Sequence, residues 1–106
     1  MSYIAQLLNA EVFEYKFISI EGHTDNVPMN SPRYPSNWEL SVGRSSNVVR
    51  FLVENNNMDP KRISASGYSE YHPVAPNDNA ENRAKNRRVD ILILKTIHYK
   101  DSSKNQ

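Results

Sequence analysis

Four consecutive residues, Gly22-His23-Thr24-Asp25, bring together a turn former, an imidazole, a hydroxyl and a carboxylate. That set could serve hydrolysis, with His23 as base and Asp25 as its orienter. Adjacent residues rarely face one another, and no serine or threonine stands in a Gly-flanked nucleophile elbow. The plainer reading is a turn in which Thr24 and Asp25 bond local backbone amides. His23, His72 and His98 are scattered and lack ligand spacing, so neither a metal site nor a cofactor is expected. The chain is expected not to be an enzyme.

Two arginine groups remain. Residues 82–88 hold Arg83, Lys85, Arg87 and Arg88, a cluster that could touch phosphate. It lacks interleaved aromatics, and the rest of the chain does not extend it. It reads equally as a solvated helix end, where cations complement the macrodipole. In a third reading, one of its arginines is structural and pairs with Asp90, Glu21 or Asp25. Arg44 is different. It lies between Gly43 and Ser45, with Leu40 and Val48 one turn away on its own side of a helix. A long cation among small neighbours is what an anion site on a helix face needs.

Composition narrows the classes. The 106 residues suit one domain with one core. Thirteen basic and 12 acidic side chains leave a formal charge of +1, which removes the electrostatic ground for a nucleic-acid partner. Without cysteine there is no disulfide framework, thiolate metal site or thiol nucleophile. No apolar run approaches the roughly 20 residues that span a bilayer. The N-terminus lacks the basic region and cleavage pattern of a signal peptide. Met1-Ser2 could equally begin a fragment, with any membrane segment lying upstream.

The elements that must position these residues follow from periodicity and punctuation. Residues 3–8 are weakly amphipathic and read as a short helix or the tail of a longer one. Residues 15–21 alternate, with Tyr15, Phe17 and Ser19 on one face and Ile18 and Ile20 on the other, and end at Gly22, as a strand does. Pro28, Pro32 and Pro35 make residues 26–36 a loop. Ser36 and Glu39 form a capping box for a long helix that stops near Glu54, before three asparagines. A turn at Asp59-Pro60 leads into a short strand at 63–68. After a second loop, Asn79 caps a helix over 80–88. Residues 88–95 form the most apolar run and are expected to be the central strand. The tail 101–106 is polar throughout. The order strand–helix–strand–helix–strand, with polar residues on one side of the first two strands, predicts a two-layer α/β (α+β) sandwich with a mixed sheet and helices on one face.

Taken in order, four segments resemble the OmpA-like peptidoglycan-binding domain family. They are Gly22-His23-Thr24-Asp25-Asn26 after a strand, and Asn37 with Leu40-Ser41 and Arg44 opening the long helix. Then come Ile63-Ser64-Ala65-Ser66-Gly67-Tyr68 with Pro73, and Arg83-Ala84-Lys85-Asn86-Arg87-Arg88-Val89-Asp90-Ile91. Within the family the chain is most similar to the branch of flagellar-motor stator B subunits. The pointers are Thr24-Asp25-Asn26-Val27-Pro28-Met29, the extended loop to Trp38-Glu39-Leu40-Ser41, and Asn47-Val48-Val49-Arg50-Phe51-Leu52.

The resemblance implies noncovalent binding of peptidoglycan at the diaminopimelate of its stem peptide. Asp25 would accept from the ammonium and Arg44 would grip the carboxylate. Thr24 and Asn37 would add neutral hydrogen bonds, and Arg88 would lie at the rim or make the structural pair. It further implies residues 1–15 as a flank, 16–96 as the domain and 97–106 as a tail. It places the domain extracytoplasmically, on a single-pass membrane protein. Partners would be a stator A subunit, reached through a membrane segment upstream, and a second copy in a homodimer to which Trp38 and residues 3–8 contribute. The alternative is the wall-binding module of an outer-membrane protein of the OmpA or Pal kind.

Overall fold

The computed structural model describes residues 16–94. The element order is β1 (Phe17–His23), α1 (Asn37–Asn56), a 3₁₀ turn (Pro60–Arg62), β2 (Ile63–Gly67), α2 (Ala80–Asn86) and β3 (Arg88–Leu94). The sheet order is β2-β1-β3. β1 runs parallel to β2 and antiparallel to β3, so the sheet is mixed, as expected.

The alternation of β1 divides its two faces. Ile18 and Ile20 are fully buried and point to the layer formed by α1. Register places Ile63, Ala65 and Gly67 of β2, and Val89, Ile91 and Ile93 of β3, on that same face. Leu52, Met58 and Ile63 join Ile18 and Ile20 in the core, with Val48, Val49, Val53, Val89 and Ile91 packed around it. The other face carries Ser19, Glu21, His23, Arg88 and Asp90, which explains the polar positions in strands that are nonetheless central or adjacent to the centre.

α1 starts where its capping chemistry puts it. Ser36 has extended backbone and its Oγ accepts from Trp38 N, while Ser36 and Glu39 bond each other side chain to side chain. The helix runs two residues past the expected stop. Asn57 then turns left-handed at φ 59°, a conformation asparagine tolerates, and its N–H closes on Leu52 O. Asn79 caps α2 by accepting from Asn82 N at 2.7 Å.

One expectation fails. Among the described residues β1, not β3, is the central strand. Leu92, Ile93 and Leu94 are 37–41% exposed, against 0% for Ile18 and Ile20. Apolarity misleads here because a two-layer sheet covers a central strand on one face only. Such a strand alternates rather than running apolar throughout. The expected helix over 3–8 and the tail 101–106 lie outside the described residues. Among the described residues no helix is long and apolar enough to cross a membrane.

α1 sits unusually close to the sheet. Gly22 and Gly67 are register partners under Ser41. A Cβ on Gly22 would fall 2.0 Å from Ser41 O, and one on Gly67 would fall 2.4 Å from Ser41 Oγ. Ser41 is fully buried. Its Oγ donates to Trp38 O and accepts from Ser69 N. This contact sets the helix against the carboxyl ends of β1 and β2, where the loops bearing Asp25 and Glu70 begin.

Candidate functional site

The chain leaves β1 through Thr24 and Asp25, both nearly buried. Thr24 N donates to Ser69 O at 2.9 Å, and its Oγ1 donates to Asp25 O at 2.8 Å. Its hydroxyl thus shapes the turn, as the plainer reading expected. Asp25 Oδ1 accepts from Val27 N at 3.0 Å, and Oδ2 accepts from Arg87 Nη1 at 2.7 Å. The carboxylate is 10% exposed and the guanidinium 44%, so the pair opens to solvent from the arginine side.

Asn37, at the first turn of α1, ties this turn to the helix. Its Nδ2 donates to Val27 O at 3.1 Å, Glu70 Oε1 at 3.3 Å and Asp25 O at 3.4 Å. The fold therefore brings Thr24, Asp25 and Asn37 together. Arg44 lies seven residues further along α1, on Asn37's side of the helix, about 10 Å away along the axis. It is half-buried, and its side chain makes no hydrogen bond or ion pair with another described residue.

Tyr34 folds back on the helix at Gly43, where a Cβ would stand 2.8 Å from the Tyr34 ring. Ser31 and Tyr34 close the turn by reciprocal bonds, from Ser31 N to Tyr34 O and from Tyr34 N to Ser31 Oγ.

Arg88 takes another place. Its Nε donates to both oxygens of Asp90, and its terminal nitrogens donate to Asn86 O and His72 O. Arg88 stands opposite His23 in the β1–β3 register, and its bonds reach neither Thr24 nor Asn37. Of the three carboxylates weighed for a structural arginine, two are used: Arg87 takes Asp25 and Arg88 takes Asp90. Sequence reasoning missed Asn86, which is fully buried within the basic run. Its Oδ1 accepts from Val74 N and Ala75 N, and its Nδ2 donates to Ala75 O and Asn77 Oδ1. Only its position before two arginines hinted at a role.

His23 is 3% exposed and stacks on Tyr68 at 5.4 Å, with His72 tilted against both rings. Neither ring nitrogen has a hydrogen-bond partner, although Asp90 Oδ2 lies 3.4 Å from Nε2. Burial, then the Arg88 charge, pushes its pKa below the usual imidazole value; Asp90 and Glu21 pull the other way, and His72 pushes it further down. The unfolded chain binds this proton near pH 6.5 and the folded chain only at lower pH. Stability is therefore full above about pH 6.5 and falls as acid is added, until the folded state also titrates. Urea titrations at pH 7.5 and 5.5 should show a larger loss for wild type than for His23→Gln.

Comparison with known proteins gives this arrangement a lineage. The OmpA family model matches residues 1–87, most of the chain. The chain belongs to the OmpA family. Among its relatives, Motility protein B of Bacillus subtilis is 54% identical over 77 residues, covering 73% of this chain and 30% of that protein. Motility protein B of Helicobacter pylori strain J99 is 43% identical over 76 residues, covering 72% and 29%. The chain thus spans about a third of the length of these relatives. Of solved structures, the periplasmic domain of Helicobacter pylori MotB superimposes with a TM-score of 0.80 at 32% identity, covering 98% of this chain and 64% of that one. The cell wall anchor of the type VI secretion system (T6SS) from Pseudomonas aeruginosa does so at 0.76 and 40%, covering 87% and 62%. The mixed sheet with two helices is the architecture of the MotB periplasmic domains.

Proposed function

We propose that this domain binds cell-wall peptidoglycan without covalent chemistry and anchors a flagellar-motor stator to the wall. The observation that carries the reading is Arg44, a cation on α1 with no partner among the described residues, on the helix side that Asn37 ties to the Asp25 turn. A diamino acid end of the stem peptide bears an ammonium and a carboxylate. It needs one acceptor anion and one forked donor. Arg44 takes the carboxylate, and Asp25 offers its remaining lone pairs to the ammonium. Asn37 and Thr24 hold the turn in place. Arg88, committed to Asp90 and two carbonyls, takes the structural pair and not a place at the ligand.

Likeness to Motility protein B and to a cell wall anchor supports the anchoring role. On this reading the domain is extracytoplasmic and non-catalytic. It belongs to a single-pass membrane protein that assembles with a stator A subunit and with a second copy of itself.

Co-sedimentation with purified sacculi tests the reading. Wild type should pellet with the wall. Arg44→Ala should lose about 1.5–3 kcal/mol of binding, or roughly 10- to 150-fold, with an unchanged fold. Asp25→Ala should lose as much, with some stability as well, because Arg87 and Val27 N lose their acceptor. Wild type that stays in the supernatant at both low and physiological salt would sink the proposal.

A further inference from the structure

Glu21 and His23 stand two residues apart on β1 and so share a face of the sheet. Glu21 is the register partner of Asp90 on β3. The pairing gathers one imidazole and two carboxylates from distant parts of the chain, which spacing along the sequence does not reveal. Each of the three residues offers one ligand atom, and these atoms all lie within 4.8 Å of one another.

His23 is the member that points to a ligand. It is 3% exposed, yet neither ring nitrogen has a hydrogen-bond partner. A buried polar atom left in that state is costly until something takes it. Nε2 has a stated direction, because Asp90 Oδ2 lies 3.4 Å from it. That contact makes no hydrogen bond, but it is the separation of two ligands on one tetrahedral ion. Zinc bonds to nitrogen and oxygen of about 2.0–2.2 Å set tetrahedral ligands about 3.3–3.6 Å apart.

The surroundings brace the group. Tyr68 stacks on the His23 ring at 5.4 Å, and its hydroxyl donates to Glu21 Oε2 at 3.4 Å, so one residue steadies two ligands. Arg88 is the competing cation. Its bonds go to Asp90, Asn86 O and His72 O, and none goes to Glu21 or His23. An ion on Asp90 Oδ2 leaves Oδ1 to Arg88 Nε at 3.1 Å. The two carboxylates outweigh the one guanidinium, and Asp90 is 38% exposed, which gives an ion a way in. Magnesium and calcium ask for six or more oxygens, whereas an imidazole with two carboxylates suits zinc and its transition-metal neighbours.

We propose that Glu21, His23 Nε2 and Asp90 Oδ2 bind one zinc-like divalent ion, with water in the fourth position. The ion clips β1 to β3 and relieves one of the two orphan nitrogens of His23. The site shares no residue with the Asp25 turn, so it stands apart from wall binding.

Zinc titration of the EDTA-treated, desalted chain by calorimetry and thermal melting tests the site. One ion per chain should bind. Zinc at a hundredfold excess over its Kd should raise the unfolding midpoint by about 10–20 °C, and magnesium should leave it unchanged. Ring-nitrogen NMR should show zinc moving the Nε2 signal of His23. His23→Gln and Glu21→Gln should each weaken zinc at least about tenfold with an unchanged circular dichroism spectrum. His72→Gln and His98→Gln should bind zinc as wild type does, although His72 packs against the His23 ring. If His23→Gln does not fold, Glu21→Gln and the wild-type ring-nitrogen spectrum decide alone. The absence of saturable zinc binding overturns the proposal. So does binding that survives His23→Gln or Glu21→Gln, binding lost only in His72→Gln or His98→Gln, or magnesium binding as tight as zinc.

Discussion

Gly22→Ala is expected to lower the midpoint of thermal unfolding by about 12–24 °C. The added methyl would stand 2.0 Å from Ser41 O and 2.9 Å from Ser41 C, both backbone atoms of a long helix. No rotamer relieves that overlap; α1 must move off the sheet. Overpacking commonly costs about 1–3 kcal/mol, and a clash against rigid backbone belongs at or above the upper end. About 3 kcal/mol corresponds to the stated shift for a domain of this size. Gly43→Ala is the control. Its methyl meets only the Tyr34 ring, which can swing aside, and alanine is the better helix former by about 1 kcal/mol. Gly43→Ala should therefore melt within a few degrees of wild type. Similar midpoints for the two variants would show that α1 does not rest on Gly22.

Asn86→Ala should cost about 3 kcal/mol in urea unfolding, since each stranded buried polar group costs about 1–3 kcal/mol. Four bonds vanish together, and Val74 N, Ala75 N and Ala75 O lose their partner. The loss is local before it is global. Hydrogen exchange at the Val74 and Ala75 amides should accelerate well before exchange in β1 does. Asn86→Asp keeps the acceptor for both amides, and its neutral carboxyl O–H can replace only one of the two donated bonds. It should fall between wild type and alanine at low pH, where the carboxyl is neutral. An alanine variant with wild-type stability would mean that water replaces the asparagine at no cost.

The legibility of the fold followed the range of the interactions. The Ser36 capping box and the Asn79 cap are contacts within three residues, and both stand where the sequence puts them. The alternation of Ile18 and Ile20 against Ser19 and Glu21 gave the buried face of β1 by the same local logic. What escaped depends on distant partners. Asp25 and Arg87 are 62 positions apart, and whether Arg87 or Arg88 reaches the carboxylate depends on where α2 ends. The seven-residue helix, shorter than expected, turns Arg87 toward Asp25 and places Arg88 on the open face. Asn86 looked like one more polar residue in a basic run, because nothing local distinguishes a buried amide from a solvated one. The rank of β3 in the sheet was misread because hydrophobicity reports burial only when both faces are covered. The site residues resolve in the same way. The Thr24–Asp25 turn was readable as a turn, whereas its attachment to Ser69 and Glu70 through Thr24 N and Asn37 was not.

The central place of β1 has a mechanical meaning if the domain is an anchor. The strand enters the sheet at Phe17 and delivers the chain to Asp25 at its far end. Tension between the chain before Phe17 and a ligand held beyond His23 runs along the axis of β1. The bonds to β2 and β3 lie across that axis on both sides, paired from Ile18 to Gly22 and from Phe17 to His23. Such a pull shears both ladders at once and shares the load among all their bonds. A pull across an edge strand would open them one at a time, each bearing the whole force.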